Sequence, residues 1–393
     1  MGAGTQAYGK MTLLLVSGAL LVLSALYFTV PIIATISEEF AVTPGKAALA
    51  GAVFSICFAL GCLVYGPLSS RLGRKRVMVA GLIGLSFATL LTCLVGQFHW
   101  LLILRGLQGA TASTFSPVAL TYAGEMFPAD RRVTVIGFIS TGFLLSGIVG
   151  QVLASALTYW SGWQAVFLLF GIFYGVLAAC FLLWLPEAPR ARKQALHLGA
   201  SLAAIAKNRS LLCCYIITVT VLLSFVGAYS ALAFYLTEPP FSLSFMQIVA
   251  IRAAGIVGMA LCLFAGRLCR RFGMAAIIRA GLLLAIIGLL LLGMVQTVVM
   301  YTLASVVFVA GIALIVPSLI AIIGELGGTS RALATSLYTF ILFIGASLGP
   351  VLAMQVLEWQ LTVTVFHLLA VVLIISLLAS TLIKQPAISG QEN

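Results

Sequence analysis

Charge is what this chain has least of. Of its 393 residues, 8% are Asp, Glu, Lys or Arg and 62% are hydrophobic. A soluble domain of this size needs far more polar surface, so nearly the whole chain must lie in lipid. Acid is the scarcer sign, with nine Asp and Glu against 21 Lys and Arg. None of the acids falls deep within an apolar run; Glu38, Glu39, Glu125, Glu238, Glu325 and Glu358 all sit at run ends. Paired catalytic carboxylates are therefore missing, as are a metal-ligand cluster and a Ser/His/Asp constellation, so no enzyme and no cofactor are expected. A nucleotide-binding glycine loop is also lacking, and ATP-driven pumping would need a partner chain. The eight cysteines lie in or beside apolar runs without metal spacing, and read as small packing residues.

What is there is a succession of long apolar runs. At about 20 residues per span, they divide into twelve helices near 11–34, 47–67, 76–96, 99–123, 133–156, 163–185, 210–234, 244–265, 274–295, 299–323, 332–355 and 361–383. The first run continues into Pro31 and a polar loop, and is read as a span rather than a cleaved leader. The net charge of +12 is distributed as membrane topology demands. Eighteen of the 21 cations fall in the two tails and in alternate loops, with Lys46 in the opposite set and Arg105 and Arg252 inside apolar runs. That asymmetry places both termini in the cytoplasm and argues for contact with membrane lipid rather than nucleic acid. A longer connection, 186–209, is expected to join an N-terminal bundle (1–185) to a C-terminal bundle (210–393), with an amphipathic helix in its middle.

One stretch occurs twice. Gly66–Val77 (GPLSSRLGRKRV) is a basic turn between apolar runs. Gly66, Leu68, Arg71, Gly73, Ala80, Gly81 and Leu82 return 200 residues later as Gly266, Leu268, Arg271, Gly273, Ala280, Gly281 and Leu282. Pro117, Gly124, Glu125 and Arg131 return as Pro317, Gly324, Glu325 and Arg331 at the same offset. The chain therefore reads as two copies of one membrane unit in the same orientation, the pattern of a parallel-repeat transporter.

The full length resembles the major facilitator superfamily, in particular its twelve-helix drug:proton antiporter branch. Gly66, Leu68, Arg71, Gly73, Arg74 and Lys75 match that family's loop signature G-x-L-x-D-R-x-G-R-K, with Ser70 where Asp is usual. Arg105, Gln108 and Gly109 match its fourth-helix R-x-x-Q-G, and LPEAP (Leu185–Pro189) is a common sixth-helix ending. The antiporters carry G-x-x-x-G-P-x-x-G-G in the fifth helix. Here Gly142 and Gly150 fit that frame, while Ser146, Gly147 and Gln151 depart from it; Gly345, Gly349 and Pro350 read as the counterpart in the eleventh helix. The resemblance implies an all-α membrane protein of twelve transmembrane helices in two pseudo-symmetric six-helix bundles. It also implies a monomer in the cell's inner (plasma) membrane that moves a small molecule, with protons as the coupling ion.

The polar residues inside the runs are the candidate site. An arginine in a membrane helix costs about 2.5–3.5 kcal/mol at the centre on insertion scales, so Arg105 and Arg252 are expected to face a polar cavity. Gln108, Thr111 and Phe115 follow Arg105 at helical spacing, and Tyr27, Gln151 and Tyr229 complete the expected substrate cavity. With no buried acid, a neutral, zwitterionic or anionic substrate suits the site better than a permanent cation. Gating is expected of Gly66, Arg71, Gly73, Arg74, Glu125, Arg271 and Glu325, with Arg71 pairing Glu125 and Arg271 pairing Glu325 as two symmetric latches. Helix packing and direction of transport are expected of Gly142, Gly147, Gly150, Gly345, Gly349 and Pro350. The expected function is proton-driven export of small amphipathic molecules by alternating access; uptake or facilitated diffusion by the same fold is the alternative.

Overall fold

The computed structural model describes residues 2–188, 198–237, 239, 241–295, 297–358 and 362–383. Every regular element among the described residues is a helix, and none is a strand. In order, the helices are α1 (Gly2–Tyr27), α2 (Ile33–Glu39), α3 (Pro44–Ala47), α4 (Leu49–Leu72), α5 (Arg74–Thr92), α6 (Phe98–Ala112), α7 (Ser116–Met126), α8 (Ala129–Ser161) and α9 (Trp163–Trp184). They continue with α10 (Leu198–Lys207), α11 (Arg209–Thr237), α12 (Phe245–Met259), α13 (Cys262–Phe272), α14 (Met274–Leu292), α15 (Val298–Leu326), α16 (Arg331–Glu358) and α17 (Thr362–Thr381). Among the described residues, ten helical segments are long and apolar enough to cross a membrane, and Val365–Thr381 is a shorter apolar helix. The remaining expected span, the fourth, is built from α6 and α7.

Large apolar side chains left exposed at helical spacing mark the lipid face. Ile56, Leu60 and Val64 form such a stripe on α4, and Leu283, Ile287 and Leu291 form another on α14. Backbone donors and acceptors are satisfied inside each helix, which is the condition for entering hydrocarbon.

Three boundaries differ from the sequence-based expectation. The first span stops at Tyr27, before Pro31, because the residue ahead of a proline is pushed out of the helical region. The basic turn Gly66–Val77 is almost all helix: α4 runs to Leu72 and α5 starts at Arg74, leaving Gly73 alone between them. Gly73 has φ +99° and donates to the Ser69 carbonyl at 3.0 Å; its repeat Gly273 has φ +84° and donates to Cys269 at 2.8 Å. Both are left-handed C-caps of the kind glycine supplies without steric cost.

The fourth span breaks while its repeat does not. In α6–α7 the hydroxyls of Ser113 and Thr114 bond back to Ala110 and Thr111 carbonyls at 2.6 and 2.7 Å, just ahead of Pro117. Such back-bonding competes with the helical ladder, and Pro117 has no N–H to restore it. At the corresponding place α15 carries Ala313 and Leu314, and continues through Pro317 as one helix.

The residues form two compact units. Unit 1 comprises Met1–Phe127 and Phe138–Ala195, and unit 2 comprises Pro128–Gly137 and Leu196–Asn393. Helix α8 thus contributes its first turns to unit 2. There, Val133 packs on Ala265, Cys269, Ile277 and Leu314, and the Cys262 thiol donates to the Gly137 carbonyl at 3.1 Å. Within unit 1, α8 lies close on α1: a Cβ at Gly142 would come 2.9 Å from the Val16 carbonyl oxygen, and one at Gly150 would come 3.0 Å from that of Ser24. Within unit 2, α16 lies just as close on α11, where a Cβ at Gly349 would come 2.8 Å from the Gly227 nitrogen and one at Gly345 would press on the Val219 backbone. Gly147 differs, since a Cβ there would meet only the Tyr27 ring at 3.7 Å. Pro350 lies within α16, and its side chain is outside the described ones.

The middle of the connection forms α10; residues 189–197, which include Pro189 and the cations Arg190, Arg192 and Lys193, lie outside the described residues.

Candidate functional site

Two groups of the expected polar residues form within unit 1, and another forms within unit 2. The first centres on Arg105, placed on α6 about 10 Å from the helix start at 1.5 Å per residue. Its relative exposure is 0%. Nε donates to the Ala50 carbonyl at 3.1 Å, Nη2 to the Ala25 carbonyl at 2.9 Å, and Nη1 to Gln108 Oε1 at 2.6 Å. Gln108 in turn donates from Nε2 to Thr92 Oγ1 at 2.7 Å. The guanidinium lies over the rings of Phe54 (4.4 Å) and Phe28 (5.1 Å), a cation–π arrangement. Tyr174 on α9 donates to the Leu21 carbonyl at 3.1 Å.

Arg105 was expected to face a polar cavity, and the geometry corrects this. The planar fork that suits a substrate anion also suits helix carbonyls, and here carbonyls of α1 and α4 and the Gln108 amide of α6 occupy all three of its nitrogens. Arg105 is a rivet between helices of unit 1. Thr111 and Phe115 do not join it. The Thr111 hydroxyl returns to the Leu107 carbonyl at 2.8 Å, while Phe115 is buried in the α6–α7 break, against Phe181 and Gly18.

The second group is an ion pair at the expected inner end of unit 1. Arg74 grips Glu125 with two bonds, Nη2 to Oε1 at 2.8 Å and Nε to Oε2 at 3.2 Å. Nη1 donates to the Gly66 carbonyl at 3.1 Å and to the Ser69 hydroxyl. The side chain of Arg74 is buried and that of Glu125 is partly open.

The expected Arg71–Glu125 pair is thereby corrected. Arg71 lies in the last turn of α4 and is exposed, and the positive-φ turn at Gly73 leads Arg74 back under α4 instead. The matching Arg271–Glu325 pair does not form either. Arg271 is exposed and lies over the Phe272 ring at 5.3 Å, while the cations acting on Glu325 are Arg132 and Arg331. Arg331 Nε also donates to the Gly324 carbonyl at 2.8 Å. The repeat position of Arg74 is Met274, so the bidentate grip has no copy in unit 2.

The third group is in unit 2. Arg252 on α12 donates from Nη2 to the Tyr229 carbonyl at 3.1 Å, and its Cζ is 5.6 Å from the Tyr229 ring centre. The Tyr229 hydroxyl lies 2.8 Å from Ser305 Oγ on α15. The remaining expected cavity residues are in unit 1, where Tyr27 faces Gly147 and Gln151 Nε2 donates to the Gly147 carbonyl at 2.7 Å.

Sequence reasoning missed Thr92, Ser69, Tyr174 and Ser305 as partners. Thr92 and Ser305 are hydroxyls within apolar runs, which is the signal that could have found them.

The family described as Major Facilitator Superfamily matches residues 15–350. An uncharacterized transporter of Buchnera aphidicola subsp. Schizaphis graminum is 26% identical over 348 residues, covering 88% of this chain and 84% of the relative. The uncharacterized MFS-type transporter YybF of Bacillus subtilis is 27% identical over 363 residues, covering 88% and 86%. The multidrug resistance protein MdtG of Salmonella typhi is 27% identical over 294 residues, covering 71% and 72%. Among solved structures, the human organic anion transporter MFSD10 (TETRAN) superposes with a TM-score of 0.77 at 18% identity, covering 94% of this chain and 99% of that one. The first two of these relatives are named as transporters, and that structure carries the same fold.

Proposed function

Because the chain belongs to the Major Facilitator Superfamily, we propose that it is a secondary active exporter of small amphipathic molecules, driven by protons moving the opposite way. The observation that carries this reading is the place where the antiporter signature falls. Gly142 and Gly150 on α8 press on α1, and Gly345 and Gly349 on α16 press on α11. Ser24 and Ser146 add a hydroxyl-to-carbonyl contact at 3.4 Å between α1 and α8. Helix pairs with no side chain between them slide and tilt at little cost, and such pairs suit alternating access. The name of MdtG, a multidrug resistance protein, supports export and a broad substrate range.

In this reading the protein sits in the inner (plasma) membrane with both termini cytoplasmic. Its two six-helix halves span 1–185 and 210–393, with 186–209 between them. In unit 1 the residues assigned to substrate contact are Tyr27 and Gln151; in unit 2 they are Tyr229 and Arg252. Arg105 and Gln108 hold unit 1 together. The Arg74–Glu125 pair, on the frame of Gly66 and Gly73, is the inner latch. It closes through two charge-assisted bonds, and these must be strained or exchanged for the inner side to open.

One observation favours the second reading, a carrier without proton coupling. The described acids lie at or just beyond helix ends, and no carboxylate among the described residues is buried inside a span. Export is tested in cells expressing the chain. Lower steady-state accumulation of lipophilic dyes than in vector controls supports it, and equal or higher accumulation counts for uptake or facilitated diffusion.

A further inference from the structure

Arg105 and Arg252 both lie inside apolar helices, and they are finished differently. Arg105 has acceptors for Nε, Nη1 and Nη2 and no solvent exposure. Arg252 is partly open, has one acceptor, the Tyr229 carbonyl, and keeps a buried Nε–H with no acceptor at all. No ion pair among the described residues involves Arg252. An arginine stays protonated, so this is a net positive charge, about 10 Å along α12 at 1.5 Å per residue, with no acid to balance it. Such a charge is strongly destabilising unless something else completes it.

The geometry indicates what would complete it. The idle Nε–H lies on the same guanidinium edge as Nη2. Arg74 uses that same edge to hold Glu125, Nε to Oε2 and Nη2 to Oε1. It is the edge that fits a carboxylate side-on with two parallel bonds. Beside it stands the Tyr229 ring, an apolar face of the kind on which the aromatic or aliphatic body of an amphipathic molecule rests. The Tyr229 hydroxyl is fixed by Ser305 and by the bare face of Gly255, where a Cβ would come within 3.0 Å of it.

We propose that Arg252 is the recognition point for an acidic group, so that the transported molecule is an amphipathic organic anion bound by its carboxylate on the Nε/Nη2 edge with its apolar body on Tyr229. This rests on the transporter reading above and deepens it by naming the substrate class. Because Nε is covered in the present conformation, the acid reaches it as that cover moves during the transport cycle.

The test uses the purified full chain in detergent and three fluorescent arylcarboxylates, each paired with its uncharged carboxamide. The wild-type protein is expected to bind the acids at least tenfold more tightly than the amides. Arg252→Gln is expected to bring the two within twofold, and Arg252→Lys to keep part of the preference. The unfolding temperature of each variant, measured in the same micelles, separates lost recognition from lost fold. A wild-type protein with no preference for the acids overturns the proposal, and so does a preference that survives in Arg252→Gln. Proton-gradient dependence of transport is a separate readout; its failure removes the antiport reading and leaves the acid preference standing.

Discussion

Gln108 accepts a hydrogen bond from Arg105 at 2.6 Å and passes one on to the Thr92 hydroxyl at 2.7 Å. Two buried polar side chains thereby satisfy each other, and each also reaches a further helix, α1 and α4 through Arg105 and α5 through Gln108.

Arg105→Ala should therefore act on stability before it acts on transport. It leaves Gln108 and the Ala25 and Ala50 carbonyls without the guanidinium donors, at about 1–3 kcal/mol for each buried acceptor that finds no other partner. Arg105→Lys should also fail, since an ammonium cannot span the three acceptors. Thermal unfolding in detergent reads both. Variants that unfold like the wild type and lose only substrate binding would return Arg105 to a cavity role.

Arg74→Glu should abolish most transport, by about tenfold or more, because it sets two acids facing each other where a bidentate pair stood. Adding Glu125→Arg should recover part of it. Arg71→Glu, three residues earlier and exposed, should have a much smaller effect on the latch. Initial transport rates of the three variants decide the point, and an equal loss in Arg71→Glu would contradict the assignment.

The glycines should separate by what stands opposite them. Gly142→Ala and Gly345→Ala force a methyl into backbone and should cost about 1–3 kcal/mol. Gly147→Ala meets the Tyr27 ring at ordinary contact distance and should be within about 0.5 kcal/mol of neutral. Unfolding temperatures of the three single variants test the order.

Much of this was written in the chain. The 200-residue repeat announced Gly73 and Gly273, and both cap their helices with the same left-handed turn. The run of Thr111, Ser113 and Thr114 ahead of Pro117 foreshadows the break that Ala313 and Leu314 avoid. The partners of Arg105 were less legible, because Ala25 and Ala50 contribute backbone oxygen, which every residue has. The exchange of Arg71 for Arg74 was equally hidden. Both are arginines beside one glycine, and the φ of Gly73 decides which of them turns inward.

Export against a proton gradient is tested most directly in everted membrane vesicles with an imposed acid interior, supplied with amphipathic dyes, antibiotics and metabolites. The account predicts uptake into these vesicles that depends on the chain and stops when a protonophore collapses the gradient. Accumulation that continues unchanged after the collapse would contradict it.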